Sequence, residues 1–413
     1  MLGWQRSALG QLINTQKGYA FKSGWYCNTG RRVVKVSNFT ADSIDSTGLI
    51  CIPESIAADY MKYELQVGDV IVQTVGSWPN NPASVVGKCV RTPQVAAGSL
   101  LNQNAVKLSP LVGLNRQFLF YLLKGDGFKS YIIGTAQGAA SQAAITLDAV
   151  RGYEFYLPPL PVQQRIAGIL SSYDELIENS QRRIKILENM ARGLYREWFV
   201  HFRFPGHENL TCVASALGEI PEGWAVKKLG DLITYSRRAT KPGPHLNERR
   251  YVPIDCLPQK SLALLEARPT EEAQSSLQLF EKGDILFGAM RPYFHKVAVA
   301  PFAGVTRTTC FVLKPVRPEW HAFATMSAFD EATVAYATAH SQGATIPYAV
   351  WDGSLSEMPL VLPPTEILQQ FEAVVSPMLS RLAQSFFALG NLRRTRDLLL
   401  PRLLSGQIKI ETT

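Results

Sequence analysis

Several motifs that would announce an enzyme are missing. The six cysteines, Cys27, Cys51, Cys89, Cys212, Cys256 and Cys310, form no Cys-x-x-Cys pair. That excludes a zinc ribbon or thioredoxin-type site and leaves them as small buried hydrophobes. No Gly-x-x-x-x-Gly-Lys-Ser/Thr loop occurs. Val86-Gly87-Lys88-Cys89 comes nearest, without the leading glycine or the hydroxyl residue. No His-Glu-x-x-His is present, and no lysine has Asp or Glu two positions before it, as a common metal-dependent nuclease site requires. No Asn-Pro-Pro-aromatic segment exists either; Asn81-Pro82-Ala83 reads as a loop. These gaps converge on a protein without reaction chemistry of its own. No run approaches 18 apolar residues, which excludes a membrane helix. Met1-Leu2-Gly3-Trp4-Gln5-Arg6-Ser7 has no basic-then-apolar leader, so the chain is expected to be cytoplasmic.

What remains is 413 residues, 46% hydrophobic and 18% charged, enough for two or more domains with sizeable cores. The net charge is +8 and the isoelectric point about 9.1, which fits a polyanionic partner.

An internal repeat organises the chain. Trp4…Leu9-Gly10-Gln11-Leu12-Ile13 returns as Trp224…Leu229-Gly230-Asp231-Leu232-Ile233. Val67-Gly68-Asp69-Val70-Ile71-Val72 returns as Lys282-Gly283-Asp284-Ile285-Leu286-Phe287, Gln137-Gly138-Ala139 as Gln342-Gly343-Ala344, and Leu157-Pro158-Pro159 as Leu362-Pro363-Pro364. The order is kept while the offset shrinks from 220 to 205, as when loops differ in length between two copies. Each copy opens with strand-like runs, such as Arg32–Val36, Val70–Thr74 and Cys310–Leu313, and holds shorter helices at Arg116–Lys124 and Trp320–Ala335. The reading is a mixed α/β domain in two copies.

Each copy ends in a long helical stripe. Ile166, Leu170, Tyr173, Ile177, Ser180, Ile184, Leu187, Ala191, Leu194 and Trp198 alternate steps of four and three. Phe371, Val375, Met378, Leu382, Ser385, Leu389, Leu392, Arg396, Leu399 and Leu403 repeat the pattern 205 residues later. A sustained 3.5-residue period is a coiled-coil seam, and the two stripes are each other's natural partners. The first helix is expected to run from Val162 to Arg203, about 60 Å at 1.5 Å per residue. Pro377 and Pro401 are expected to kink or fray the second. Arg396, polar within the seam, is expected to meet an acidic group or a partner. Trp198, Phe199, Phe386 and Phe387 are expected to be exposed and to require partner subunits.

Two similar heads on a paired-helix rod suit the gauging of duplex DNA, whose useful separations lie near one helical turn of about 34 Å. The first head (1–156) carries a net +5 and the second (224–357) a net +2. Candidate DNA contacts are Lys17, Tyr19, Lys22, Arg31, Arg32, Lys35 and Asn38 in the first, and Arg237, Arg238, Lys241, His245, Asn247, Arg249 and Arg250 in the second. Lys and Arg neutralise phosphates; Arg, Asn and Gln also form bidentate pairs with base edges. Arg291-Pro292-Tyr293-Phe294-His295-Lys296 interleaves charge with aromatics and adds Arg291, Tyr293, His295 and Lys296. The glutamine loops add Gln137, Gln342 and Thr345. No metal ligands are expected.

Four stretches carry a family resemblance. Leu157-Pro158-Pro159-Leu160-Pro161-Val162-Gln163-Gln164-Arg165-Ile166-Ala167-Gly168-Ile169-Leu170 resembles the start of the central spacer in specificity subunits of type I restriction–modification systems. Tyr195-Arg196-Glu197-Trp198-Phe199-Val200-His201-Phe202-Arg203-Phe204-Pro205-Gly206-His207-Glu208 resembles its end. Gly283-Asp284-Ile285-Leu286-Phe287 followed by Arg291-Pro292-Tyr293 is similar to the family's target-recognition domains, and Leu403-Leu404-Ser405-Gly406-Gln407-Ile408 to its closing segment. The resemblance implies two target-recognition domains, 1–156 and 224–357, a central spacer helix at 157–203, a linker at 204–223 and a C-terminal spacer helix at 358–413. The two spacer helices would form an antiparallel coiled coil with pseudo-twofold symmetry. It implies a non-catalytic subunit that reads a bipartite asymmetric duplex and docks two methyltransferase subunits and a motor–nuclease restriction subunit. S-adenosylmethionine, ATP and Mg2+ would then sit on those partners, with no cofactor on this chain. Two alternatives stand beside it: a protein-binding scaffold with two heads on a coiled coil, and a catalytic restriction or modification enzyme, against which the missing motifs speak.

Overall fold

The computed structural model describes residues 4–79, 85–138 and 142–410. Met1–Gly3, Asn81-Pro82-Ala83 and Ala139 lie outside them. Contacts divide the chain into two units, Met1–Glu175 with Arg394–Thr413, and Leu176–Arg393.

In the first unit Ile13–Lys17, Ala105–Pro110, Val70–Gln73 and Cys89–Arg91 lie side by side in that order, all antiparallel. The second unit repeats the order with Ile233–Tyr235, Cys310–Pro315, Ile285–Gly288 and Val297–Val299. The inner strands are apolar on both faces because both faces are covered. Val70 and Val72 enter one core with Phe118 and Leu119, whereas Ile71 enters another with Val90 and Leu101. Likewise Ile285 and Phe287 point to one core of the second unit and Leu286 to another. A second sheet accompanies each, with one parallel pairing apiece, Arg31–Val34 beside Leu100–Leu101 and Arg250–Tyr251 beside Gly304–Arg307. The flanking pair Gln5–Ala8 and Glu154–Leu157 reappears as Ala225–Lys228 and Pro359–Leu362.

The repeated Gly-Asp has a structural cause. Gly68 and Gly283 take φ of 80° and 90°, which favours glycine. The following aspartates are buried and accept backbone N–H bonds, Gln66 to Asp69 at 2.9 Å and Glu281 to Asp284 at 2.7 Å. A lysine on the neighbouring strand sits beside each, Lys107 at 3.5 Å and Lys314 at 3.4 Å.

The short helices form at Arg116–Lys124, His321–Phe329 and Glu331–Ala339. Asp330 splits the last two, its carboxylate accepting from Ala332 N at 2.8 Å as an N-cap. The six cysteines are free thiols. Cys51, Cys89, Cys256 and Cys310 are buried and Cys27 half-buried, but Cys212 is exposed, because it lies on the surface hairpin of Cys212–Ser215 and Gly218–Pro221. Among the described residues no helix is long and apolar enough to cross a membrane, and no His, Cys, Asp and Glu group could hold a metal.

The two long helices are Leu160–Tyr195 and Thr365–Leu404. The first stops short of Arg203. Arg196–Val200 forms a π-helical turn, and Phe202, at φ 56°, redirects the chain. The cause is an aromatic cluster: Phe199 packs on Phe371 and on Phe323, both at 4.7 Å, and Phe202 and Phe204 on Trp224. Trp198 and Phe199 are therefore buried, against expectation, while Phe386 is half-buried and Phe387 exposed. Arg203 closes the turn on Glu197 with bonds of 2.7 and 2.8 Å. Pro377 and Pro401 do not break the second helix. Both prolines, and the residues four before them, Ala373 and Asp397, are exposed, where water can serve the carbonyls that lose their amide partners.

In the first unit Ile166 and Leu170 share a core with Leu403 and half-buried Leu399, and Tyr173 is half-buried. In the second, Ile177, Ile184, Ala191 and Trp198 share one with Phe371, Val375, Leu382 and Leu389, and half-buried Leu187, Leu194, Met378 and Leu392 pack against it. Trp198 lies 5.5 Å from Phe371, and Asp174 binds Arg396 at 2.9 Å, so the helices run antiparallel. Ser180 and Ser385 satisfy their hydroxyls locally, on the carbonyls of Leu176 and Arg381 at 2.7 and 3.0 Å.

Candidate nucleic-acid interface

In each unit the loop after an inner strand meets the glutamine loop. In the first, Val75–Gly76, just past Val70–Gln73, pairs with Ala143–Ala144, and Gln137 pairs with Ala144 through bonds of 2.9 and 2.8 Å. In the second, Met290, just past Ile285–Gly288, pairs with Tyr348, and Gln342 pairs with Tyr348 through bonds of 2.9 and 2.8 Å. Both glutamines are exposed, as is Thr345. Gly343, at φ 90°, sits where an added Cβ would meet Ile346 O at 2.9 Å, so this tight turn favours glycine.

Around Tyr348 several candidates converge. Arg291 N donates to Pro347 O at 2.7 Å, and Tyr348 Oη donates to Thr308 O at 2.9 Å. Phe311 links Tyr348 to Tyr235, whose ring lies 4.5 Å beneath Arg237. Arg237 also pairs with Asp352, and exposed Tyr293 stands on the turn after Arg291. Arg238 and Arg249 go elsewhere. They share Glu281, at 2.7 and 3.3 Å, and hold its carboxyl below the ordinary range, Arg238 most strongly. Arg250 lies over Phe302 and Phe386, and His245 binds Thr240 at 2.9 Å. Lys241 and Asn247 are exposed.

Two further candidates in this unit bond inward. His295 is 4% exposed, its Nε2 sits 2.8 Å from Phe329 O, and burial lowers its pKa; the buried ring braces the loop. Lys296 donates its Nζ to Ile254 O at 2.9 Å.

In the first unit the cluster around residue 31 bonds to its own fold. Arg31 pairs with Glu54 and with Glu64 at 3.1 Å, and the bond it donates to Glu54 raises its pKa. Arg32 donates to Val95 O at 2.7 Å and Ala97 O at 3.3 Å, and Asn38 accepts from Lys35 N at 2.9 Å. Tyr19 belongs to a half-buried aromatic patch with Trp25, Tyr26, Tyr60 and Tyr63; its ring is 4.5 Å from Tyr60. Lysines rim the patch: Lys22 over Trp25 at 5.4 Å, Lys35 over Tyr26 at 4.1 Å and Lys62 over Tyr63 at 5.0 Å. Lys17 is exposed. Sequence reasoning missed Trp25, Tyr26, Tyr60, Lys62, Tyr63 and Tyr348. The aromatic doublets Trp25-Tyr26 and Tyr60…Tyr63 beside lysines were the available signal. Lysine over aromatic faces suits phosphates and stacked bases.

Residues 1–189 match the family model for the type I restriction modification DNA specificity domain. The chain is 26% identical over 326 residues to the type I restriction enzyme MjaIX specificity subunit of Methanocaldococcus jannaschii, covering 75% of this chain and 73% of that protein. It is 30% identical over 182 residues to the EcoAI specificity subunit of Escherichia coli, covering 44% and 29%. The fold resembles that of the crystal structure of the type I S subunit from M. genitalium, with a TM-score of 0.59 and 16% identity over 100% of this chain and 97% of that one. In its duplicated sheets, its antiparallel helices and these matches, the chain is similar to the specificity subunits of type I restriction enzymes, and residues 1–189 match their DNA specificity domain.

Proposed function

We propose that this chain is the non-catalytic subunit that gives a type I restriction–modification complex its DNA sequence specificity. It reads a bipartite asymmetric duplex, one part with the loops of 1–156 and the other with those of 224–357. The spacer helices 157–203 and 358–413, with the linker 204–223, set the spacing of the two parts. They dock two methyltransferase subunits and a motor–nuclease subunit. S-adenosylmethionine binding and adenine methylation belong to the first of these partners, and ATP- and Mg2+-dependent translocation and cleavage to the second. The complex works in the cytoplasm.

The observation that carries this reading is the duplicated loop pairing. Gln137 with Ala144 beside Val75, and Gln342 with Tyr348 beside Met290, put unlike side chains on equivalent frames. Two related but non-identical readers suit an asymmetric target. The test is a footprint of the complex reconstituted with its methyltransferase subunits, together with methylation mapping. Two protected half-sites are expected, and exchange of residues 1–156 for another family member's domain changes one half only. A change in both halves, or methylation by the isolated chain, would refute it.

A further inference from the structure

The turn Pro292–Phe294 is bracketed by two left-handed residues, Arg291 at φ 52°, ψ 61° and His295 at φ 51°, ψ 59°. Neither is glycine, so the surroundings must impose this conformation. They do so from both sides. Arg291 N donates to Pro347 O at 2.7 Å, and His295 N to Pro292 O at 2.8 Å. The His295 ring packs on Phe329 at 4.7 Å, and Lys260 N donates to His295 O at 2.8 Å. Pro292 is buried. Held outward on this fixed base are two aromatic rings, Tyr293 at 48% exposure and Phe294 at 37%, with centroids 4.7 Å apart.

Phe294 has no donor or acceptor with which to read a base edge. Arg291 stands at the foot of the turn and the glutamine loop is joined to it through Pro347, whereas a protein-docking patch is broader and more apolar. A rigid aromatic pair beside an arginine is the equipment for separating stacked bases. Because the turn is already fixed, little ordering remains to oppose binding.

We propose that Tyr293 and Phe294 form a wedge that inserts at one base step of the half-site read by the second unit and unstacks it. This rests on the DNA-reading function above. The test uses the complex with its methyltransferase subunits and mapped target duplexes carrying 2-aminopurine at successive positions of that half-site. With the parent complex, fluorescence should rise at one step other than the methylated adenine. The variant Y293A/F294A should lose that rise at saturating protein and bind the duplex roughly ten- to a hundredfold more weakly. F294W, which keeps a ring, should retain the rise. No rise with the parent complex would overturn the wedge, as would a rise unchanged in Y293A/F294A. So would loss of methyltransferase co-purification in that variant, which would make the pair a protein contact. If the parent complex gives no footprint on its mapped target, the DNA-reading function falls; a footprint without the fluorescence change removes only the wedge.

Discussion

Arg396 is the single cation in either helical stripe, and its removal tests how the end of the second helix is held in the first unit. Its Nη1 lies 2.9 Å from Asp174 and 3.2 Å from Asp42, and its side chain is 18% exposed against 13% for Asp174. Asp174 also accepts from Tyr121 Oη at 2.6 Å and Arg91 at 3.3 Å, and Asp42 binds Lys124. Breaking a buried pair from one side costs about 3–5 kcal/mol. Here each carboxylate keeps a second cation and Asp42 is partly exposed, so R396M should cost about 2 kcal/mol. For a unit of this size that is a fall of about 4–8 °C in melting temperature. Calorimetry of the intact chain, with hydrogen exchange across Arg394–Leu404, measures it. The exposed pair Glu178–Arg182 is the control, and E178A should cost no more than ~0.5 kcal/mol.

The sign with pH follows from Asp42. Burial pushes its pKa up, but Lys124 and Arg396 outweigh it and leave the carboxyl below its ordinary value of 3.8. The stabilisation is therefore complete above that value and fades as pH falls through the folded one, so parent and R396M should converge in acid. A melting temperature for R396M no lower than that of E178A would show that the cluster does not secure the helix. Additive losses in a D174A and R396A double-mutant cycle would show the same.

Other outcomes follow from single sites. Glu188, 4% exposed in the first long helix, accepts from Ser261 Oγ at 2.6 Å, Leu262 N at 2.8 Å and Ala263 N at 3.1 Å. E188A leaves three donors unpaired and should cost about 3 kcal/mol, whereas E188Q, with its remaining carbonyl oxygen, should recover most of it in the same melts. Gly68 and Gly283 have room for a Cβ, with nearest atoms at 3.8 and 3.9 Å. G68A and G283A should therefore lose only the backbone term of about 1 kcal/mol each, seen as a shift in urea midpoint at constant slope. Exposed Cys212 should give the fast phase of thiol titration in the native chain and C212S should abolish it. Cys89, pushed up to about 12 by burial, should react only on unfolding.

The helical stripes were legible because a seam writes its period into the sequence at every turn, and Arg396 stood out against that period. The sheets were legible where both faces are covered, as at Val70–Gln73, since burial on two sides leaves an unbroken apolar run. The candidate contacts were less so. Arg31 and Exposed Lys17 look alike in sequence, yet the first is fixed by Glu54 and Glu64, 23 and 33 residues away. Only the fold decides which cation is already paired. Glu188 was hidden for the same reason: it sits one residue from seam position Leu187, and its partners lie more than 70 residues further on. The end of the first helix was misplaced because Trp198 and Phe199 are both buried, and neighbouring residues share no helix face. A π-helical turn and a left-handed Phe202 accommodate them, and periodicity alone signals neither.

Comparison of the two units separates what the frame requires from what the target requires. The buried Gly-Asp turn and its lysine are the same in both, as Gly68, Asp69 and Lys107 and as Gly283, Asp284 and Lys314. A change there costs stability whatever DNA is bound. The loops they support differ: Trp78 follows one inner strand and Tyr293 and Phe294 the other, and Ala144 stands where Tyr348 does. Side chains that differ on matching frames are free of the fold's demands, so substitutions among them should change target preference while leaving the melting temperature nearly unmoved. The aromatic residues of the first unit fit this division only in part. Tyr19 and Tyr60 are half-buried in the patch as well as displayed on it. Replacing either should therefore weaken both DNA binding and the fold, and the Y293A/F294A pair in the second unit is the cleaner instrument for separating recognition from stability.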